Sequence, residues 1–314
     1  MLTDKQQQYG SPEIWGGFEC TINRVGNSYN DQFEYSGHYK RQEDIFAAAS
    51  LGIKKIRYPI LWEKHQPSLD HLIDWEETSQ KLKLLRQQNI GVIAGLVHHG
   101  SGPAFTSLAD PQFPYLLAQY AKEVAEQFPW INAYTPVNEP LTTARFSGLY
   151  GLWYPHKKNA ASFIQMLLNQ VKGIVLSMKE IRKINPAAQL VQTEDLCKIY
   201  STPKLQYQAR FENKRRWLSY DLLCGKVDKD HPLWKYLLKN GAEEKQLEFF
   251  KENICTPDVF GFNHYLTSER FLDERLPAKA GVHGHDQHEI DLLEKRFDQS
   301  DLSWWIDREA HFPA

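Results

Sequence analysis

The sequence predicts an α/β protein of (β/α)8 TIM-barrel type that is incomplete, with six βα units visible in 314 residues. Three observations predict it. Apolar, strand-like runs alternate with helical stretches, the order of a parallel sheet joined by crossover helices. Polar residues gather just after the strand runs, where barrels and open α/β sheets hold their sites. No G-x-G-x-x-G follows the first run and no G-x-x-x-x-G-K occurs, so a nucleotide-binding open sheet lacks its fingerprint.

The elements follow in order. Residues 13–18 (EIWGGF) read as a first strand, with Trp15-Gly16-Gly17 allowing close backbone passage and Glu19 at its end. The segment 24–38 is polar and reads as a loop. Arg41 to Leu51 is helical, with Ile45, Ala48, Ala49 and Leu51 on one side and Gly52 as the stop. Ile53 to Ile60 is the second strand, followed by Trp62. A second helix starts at Asp74, with Glu77 three residues on in a capping-box pattern, and runs to about Gln88. Gly91 to Val97 (GVIAGLV) is an unbroken apolar run, as in a parallel strand buried on both faces, and ends in His98-His99-Gly100.

A third helix, 113–127, places Phe113, Leu116, Leu117, Tyr120, Ala121 and Val124 at helical spacing. The fourth strand carries TPVNEP (135–140). A long helix, 160–184, is stopped by Asn185-Pro186. Leu190 to Thr193 is a fifth strand ending in Glu194-Asp195. Residues 201–250 hold two or three helical pieces. Pro257 to Phe262 is the sixth strand, ending in Asn263-His264-Tyr265. The expected organisation is an incomplete barrel over 1–275 and a loop-and-helix segment over 276–314.

Composition narrows the function. The chain is 42% hydrophobic and 13% aromatic with a net charge of −2, enough apolar material for a large core. No basic block offers a surface to nucleic acid or an anionic membrane, so neither is an expected partner. The N-terminal MLTDKQQQYG has no apolar signal-like core, and no run reaches the ~20 residues of a membrane span. The cysteines (Cys20, Cys197, Cys224, Cys255) are scattered, which fits reduced thiols in a cytoplasmic protein. His283, His285 and His288 (HGHDQH) read as part of a polar loop, and no metal or cofactor is expected. The many Trp and Tyr rings suit core packing and also the C–H faces of sugars.

INAYTPVNEP (131–140) is the stretch with chemistry. An apolar strand ends in Asn138-Glu139-Pro140, so Glu139 sits where a buried strand meets a loop. Desolvation raises a carboxyl pKa. A carboxyl still protonated near neutrality can act as a general acid. Pro140, with no N–H, ends the pairing.

Several segments resemble glycoside hydrolase family 1, the β-glucosidase family of (β/α)8-barrel glycosidases. HYKRQEDIFAAASLGIKKIRYPILW (38–62) is similar to its second βα unit, with Arg57 and Trp62 matching. GVIAGLVHHGSGP (91–103) is similar to its third strand, with His98 at the sugar-binding histidine. TPVNEP resembles the fourth-strand motif, with Asn138 and Glu139 at the acid/base positions. PDVFGFNHYLTS (257–268) resembles the sixth strand, with Asn263 and Tyr265 matching. The resemblance implies a small-molecule carbohydrate substrate and a retaining hydrolysis of O-glycosidic bonds. Glu139 would protonate the leaving oxygen, Asn138 would bind the hydroxyl next to the anomeric carbon, and His98 another ring hydroxyl. Arg57 and Tyr265 would flank the nucleophile, and Glu19 would lie near the sugar.

The chain departs from that pattern after Ser268. The seventh-strand nucleophile motif, of the T-E-N-G kind, and the eighth strand are not recognisable, and neither is the first-strand glutamine. Glu19 and Glu194 are strand-end carboxylates weighed as replacements for the nucleophile. The resemblance extends to the leading part of bacterial proteins fused to a dTDP-rhamnose-type sugar-nucleotide reductase. The competing expectation is therefore a non-catalytic sugar-binding or accessory barrel, the front module of a sugar-nucleotide enzyme. An oligomer or fused domain would cover the open barrel edge.

Overall fold

The computed structural model describes residues 12–18, 20–70, 72–265 and 268–273. Glu19, the HGHDQH histidines and the expected segment 276–314 lie outside the described residues. Six strands form one parallel sheet: β1 (Trp15–Gly17), β2 (Lys55–Pro59), β3 (Gly91–His98), β4 (Ala133–Asn138), β5 (Gln189–Asp195) and β6 (Val259–Asn263). Their spatial order is their chain order, every neighbouring pair is parallel, and β1 and β6 are the two edges. This is an α/β fold whose sheet curls into an incomplete barrel, as the alternation of elements predicts.

Side-chain alternation divides the sheet into two faces. Ile56, Val92, Ala94, Tyr134 and Leu190 join the main core under the helices. Their neighbours Ile93, Ala133 and Val191 form a separate small cluster with Val259, on the concave side. The main helices are α1 (Glu43–Ser50), α2 (Glu76–Gln87), α3 (Phe113–Gln127), α4 (Pro140–Ala144) and α5 (Ala160–Ile184). The buried stripe of α3 (Phe113, Leu117, Tyr120, Val124) packs with that of α5 (Phe163, Leu167, Val171, Ile174) in the main core. Each such fully buried large apolar side chain contributes about 1.5–3 kcal/mol by leaving water.

Three expectations are corrected. The segment 24–38 is not a loop. Ile22–Val25 and Ser28–Asp31 pair as an antiparallel hairpin, followed by a helix Gln32–Ser36. Its strands hide in the sequence because one inward residue is Arg24, which lies over the rings of Tyr154 (3.9 Å) and Tyr29 (5.5 Å). The capping box at Asp74 does not form either. Asp74 Oδ1 accepts from the Glu76 N–H at 2.9 Å, a tighter turn, and Glu77 reaches Lys64 instead. Residues 201–250 hold four helices rather than two or three: Gln206–Arg215, Leu218–Leu223, Trp234–Lys239 and Glu244–Glu252, the last starting in the stretch and ending just beyond it. Their short lengths blur the 3.6-residue period that separates one helix from the next.

Among the described residues no helix is long and apolar enough to cross a membrane. None of the four cysteines forms a disulfide among the described residues; Cys20, Cys197 and Cys255 are buried.

Candidate active site

The C-terminal ends of β3, β4, β5 and β6 converge on Glu139. In register, His98 lies opposite Asn138 on β3 and β4, and Asp195 opposite Asn263 on β5 and β6. Glu139 follows β4 directly and has a left-handed backbone (φ 44°, ψ 62°). That conformation costs a non-glycine residue about 1–3 kcal/mol and persists only where its surroundings fix it. Here its N–H donates to the Thr193 carbonyl at 3.3 Å, and its carbonyl accepts from Thr143 N–H at 2.9 Å to begin α4. The bend turns Glu139 away from the path of the strand.

Glu139 is 3% exposed. The Asn263 amide donates to its Oε1, and His99 Nε2 lies 3.8 Å from its Oε2. Burial pushes its carboxyl up to about 6. The bond from Asn263 and the charges of Arg57 and Arg145 pull it down, while Asp195 pushes it up further. A carboxyl with that balance holds a proton at mildly acid pH and loses it near neutrality, as proton transfer to a leaving group requires.

Asn138 is locked by its neighbours. Its Oδ1 accepts from Arg57 Nη1 at 2.7 Å and from Thr193 Oγ1 at 2.8 Å. Its Nδ2 lies 3.1 Å from His99 Nε2, and His99 Nδ1 lies 3.0 Å from Thr143 Oγ1. Burial, with Arg57 adding to it, holds the His99 ring down at about 4, so it is neutral at neutral pH. The neutral tautomer that satisfies both contacts accepts the Asn138 amide at Nε2 and donates Nδ1–H to Thr143. Trp153 leans on the ring at 5.0 Å.

The other sequence-selected residues fall as follows. Arg57 joins the Asn138–Thr193 network and also bonds Thr193 Oγ1 at 3.0 Å. His98 is buried, its Nδ1 3.3 Å from Cys20 Sγ, and burial drives its pKa down to about 2. Tyr265 is 58% exposed, and its backbone N–H donates to Ser268 Oγ at 2.7 Å. Glu19 lies outside the described residues.

Glu194 turns to the helix side of β5, as its alternation with Thr193 dictates. Its Oε2 accepts from Leu141 N–H (2.9 Å) and Ser219 Oγ (2.7 Å), and its Oε1 from Thr142 N–H (3.3 Å) and Thr142 Oγ1 (3.2 Å). It sits at the N-terminus of α4, and burial, with Glu139 adding to it, pushes it up to about 8. Sequence reasoning missed His99, Thr193 and Thr143. The pattern His98-His99 shows that one histidine ends the strand, but not which ring the turn (His99, φ 54°) presents to Glu139.

Among the described residues no three His, Cys, Asp or Glu side chains stand where they could hold a metal ion.

No family model matches the chain. Over 96 residues the sequence is 31% identical to β-glucosidase 10 of Arabidopsis thaliana, which covers 31% of this chain and 17% of that protein. In structure the chain is similar to the family 1 β-glucosidase of Thermotoga maritima (TM-score 0.71, 16% identity, 93% of this chain and 76% of that one). A complex of the Thermotoga maritima β-glucosidase with a methoxycarbonyl-substituted glucoimidazole gives a TM-score of 0.72 at 15% identity, over 91% and 74%. The AHE enzyme from Alicyclobacillus herbarius gives 0.65 at 18%, over 74% of this chain and 56% of that one. The chain thus spans less than a fifth of the curated relative and little more than half of the AHE enzyme. What these likenesses establish is the fold: an incomplete (β/α) barrel of the β-glucosidase kind.

Proposed function

We propose that this barrel hydrolyses O-glycosidic bonds of a small carbohydrate, in the manner of a β-glycosidase, with Glu139 as the acid that protonates the leaving oxygen. The observation that carries the reading is the state of Glu139: buried at a strand end, bent out by a left-handed backbone, held by Asn263, and raised to about 6. Unlike Glu194, whose oxygens are taken up by the α4 amides and Ser219, Glu139 is raised at the C-terminal mouth of the sheet, where barrels hold their sites. Asn138, with Oδ1 taken by Arg57 and Thr193 and one amide hydrogen facing His99, keeps its second amide hydrogen for a ring hydroxyl. Arg57 holds Asn138 in place. His98, Tyr265 and Glu19 stay as substrate-binding proposals that rest on the family resemblance. The same resemblance carries the retaining outcome, and the scattered cysteines, read as reduced thiols, carry a cytoplasmic location.

The second reading is a non-catalytic sugar-binding or accessory barrel, the front module of a dTDP-rhamnose-type sugar-nucleotide enzyme, its open edges at β1 and β6 covered by a fused domain or a second copy. Glu194 favours it: one of the two strand-end carboxylates weighed as a replacement nucleophile is committed to the α4 amides. Assays with a panel of nitrophenyl α- and β-glycosides, comparing wild type with Glu139→Ala, separate the two. Turnover that collapses in the variant supports the first. Sugar binding without turnover supports the second.

A further inference from the structure

The turn from His99 to Gly102 follows β3 directly and carries the ring that meets Asn138. Two of its residues are left-handed, His99 (φ 54°) and Gly102 (φ 80°). A residue other than glycine holds that conformation only where its surroundings fix it. Part of what surrounds this turn is Glu63, a buried carboxyl on the short helix Trp62–His65 after β2. Its Oε1 accepts the Gly102 N–H at 2.9 Å. The same carboxyl lies against Gly100, where a Cβ would overlap Oε1 and stand 2.9 Å from Cδ. The φ of Gly100 is not left-handed, so contact with Glu63 rather than backbone strain opposes a side chain there. Tyr29 of the hairpin holds the far end of the turn, its hydroxyl donating to the Gly102 carbonyl at 3.3 Å.

No described hydrogen bond of Glu63 reaches Arg57, Asn138, His99 or Glu139. Its path to the site runs through the turn alone. Gly102 and Gly100 are clamped, His99 lies next to them, and the His99 ring meets both the Asn138 amide and, at 3.8 Å, Glu139.

We propose that Glu63 is a positioning residue: by clamping Gly100 and Gly102 it fixes the turn at His99, and through that ring it sets the amide of Asn138 and the surroundings of Glu139. The use of Asn138 and Glu139 on a substrate rests on the carbohydrate reading given above; the clamp on His99 does not.

Nitrogen-labelled NMR of the His99 ring, with a carbon-labelled titration of the Glu139 carboxyl, tests the clamp in the whole chain without turnover. In wild type the expected ring is one neutral tautomer with its proton on Nδ1. In Glu63→Ala the ring becomes a mixture of tautomers, and the Glu139 midpoint falls from about 6 toward 4.5 as water reaches it. Glu63→Gln keeps the shape and the acceptor and restores both signals. Gly100→Ala, whose Cβ displaces the carboxyl, copies Glu63→Ala and adds nothing to it in the double variant. It carries the test alone if Glu63→Ala does not fold. Gly241→Ala, in the loop after the helix Trp234–Lys239, lowers Tm and moves neither signal. On a nitrophenyl glycoside that wild type cleaves, Glu63→Ala loses at least ~10-fold in kcat/KM and Glu63→Gln regains it. An unmoved His99 spectrum in Glu63→Ala or Gly100→Ala, no restoration by Glu63→Gln, or the same change in Gly241→Ala would overturn the proposal. The predicted spectra in a protein that cleaves no glycoside would support the clamp and overturn the glycosidase reading.

Discussion

The Glu194 carboxylate caps the helix that begins beside Glu139, accepting the Leu141 and Thr142 amides 2.9 and 3.3 Å away. One carboxyl therefore sets the backbone of the residue that carries the other. Glu194→Ala leaves the α4 amides and Ser219 without a partner and opens a small void. We expect a loss of about 2–4 kcal/mol in urea unfolding, from the lost cap and the unsatisfied buried donors. An effect below ~0.5 kcal/mol would show that α4 does not need the cap.

The pH dependence of stability follows from three buried carboxyls. Glu139, Glu63 and Glu194 are raised to about 6, 7 and 8 from an ordinary value of 4.5. The folded state then holds more protons than the unfolded state, so these groups lower stability as pH rises from about 4.5 to about 8. The neutral histidines His65, His98 and His99, depressed to about 4, 2 and 4, act the other way only below the ordinary histidine value of 6.5. Between pH 7 and 8 the carboxyls dominate. Glu194→Gln should therefore gain stability relative to wild type on going from pH 6 to pH 8, read as a rising difference in Tm. A difference that falls over that interval would reverse the sign assigned to Glu194.

Asn263 stabilises the charged form of Glu139 by donating to it. Asn263→Ala should thus move the Glu139 titration upward, away from 6, and shift the alkaline limb of any pH–rate profile to higher pH. A carbon-labelled NMR titration of the Glu139 carboxyl checks this without turnover. A downward shift would contradict the geometry.

Gly148 marks where the chain after α4 meets α5. A Cβ there would stand 2.8 Å from the Phe163 Cα and backbone N, neither of which can rotate away. Gly148→Ala should cost about 1–3 kcal/mol and lower Tm accordingly. Gly241, whose Cβ would meet only Ala161 Cβ at 4.0 Å but whose φ is +91°, should lose stability through backbone strain rather than contact. An unchanged Tm on substitution to alanine at either position would contradict the cause assigned to it.

The long, periodic elements were readable: α3 and α5 fall at 113–127 and 160–184, and the apolar run at 91 is β3. Period and burial agree in these, so pattern alone suffices. The hairpin at 22–31 was not readable, because Arg24 occupies an inward position and satisfies itself on aromatic rings. In the site, Asn138 and Glu139 were visible as a polar pair ending an apolar strand. The placement of His99 was not, since it depends on a left-handed turn that flips one of two adjacent histidines toward Thr143 and Asn138. Glu194 looked like a spare strand-end carboxylate until alternation along β5 placed it on the helix side.

The most direct test of Glu139 as the acid is the dependence of its loss on the leaving group. Glu139→Gln keeps the side-chain shape and removes the proton. Initial rates would be compared for wild type and variant on a β-linked disaccharide, whose sugar leaving group needs a proton, and on a 2,4-dinitrophenyl β-glycoside, whose leaving group does not. The account predicts a loss of about 10²–10⁴-fold on the disaccharide and a far smaller one on the dinitrophenyl glycoside. Equal losses on both, or a wild type that turns over neither, would contradict it.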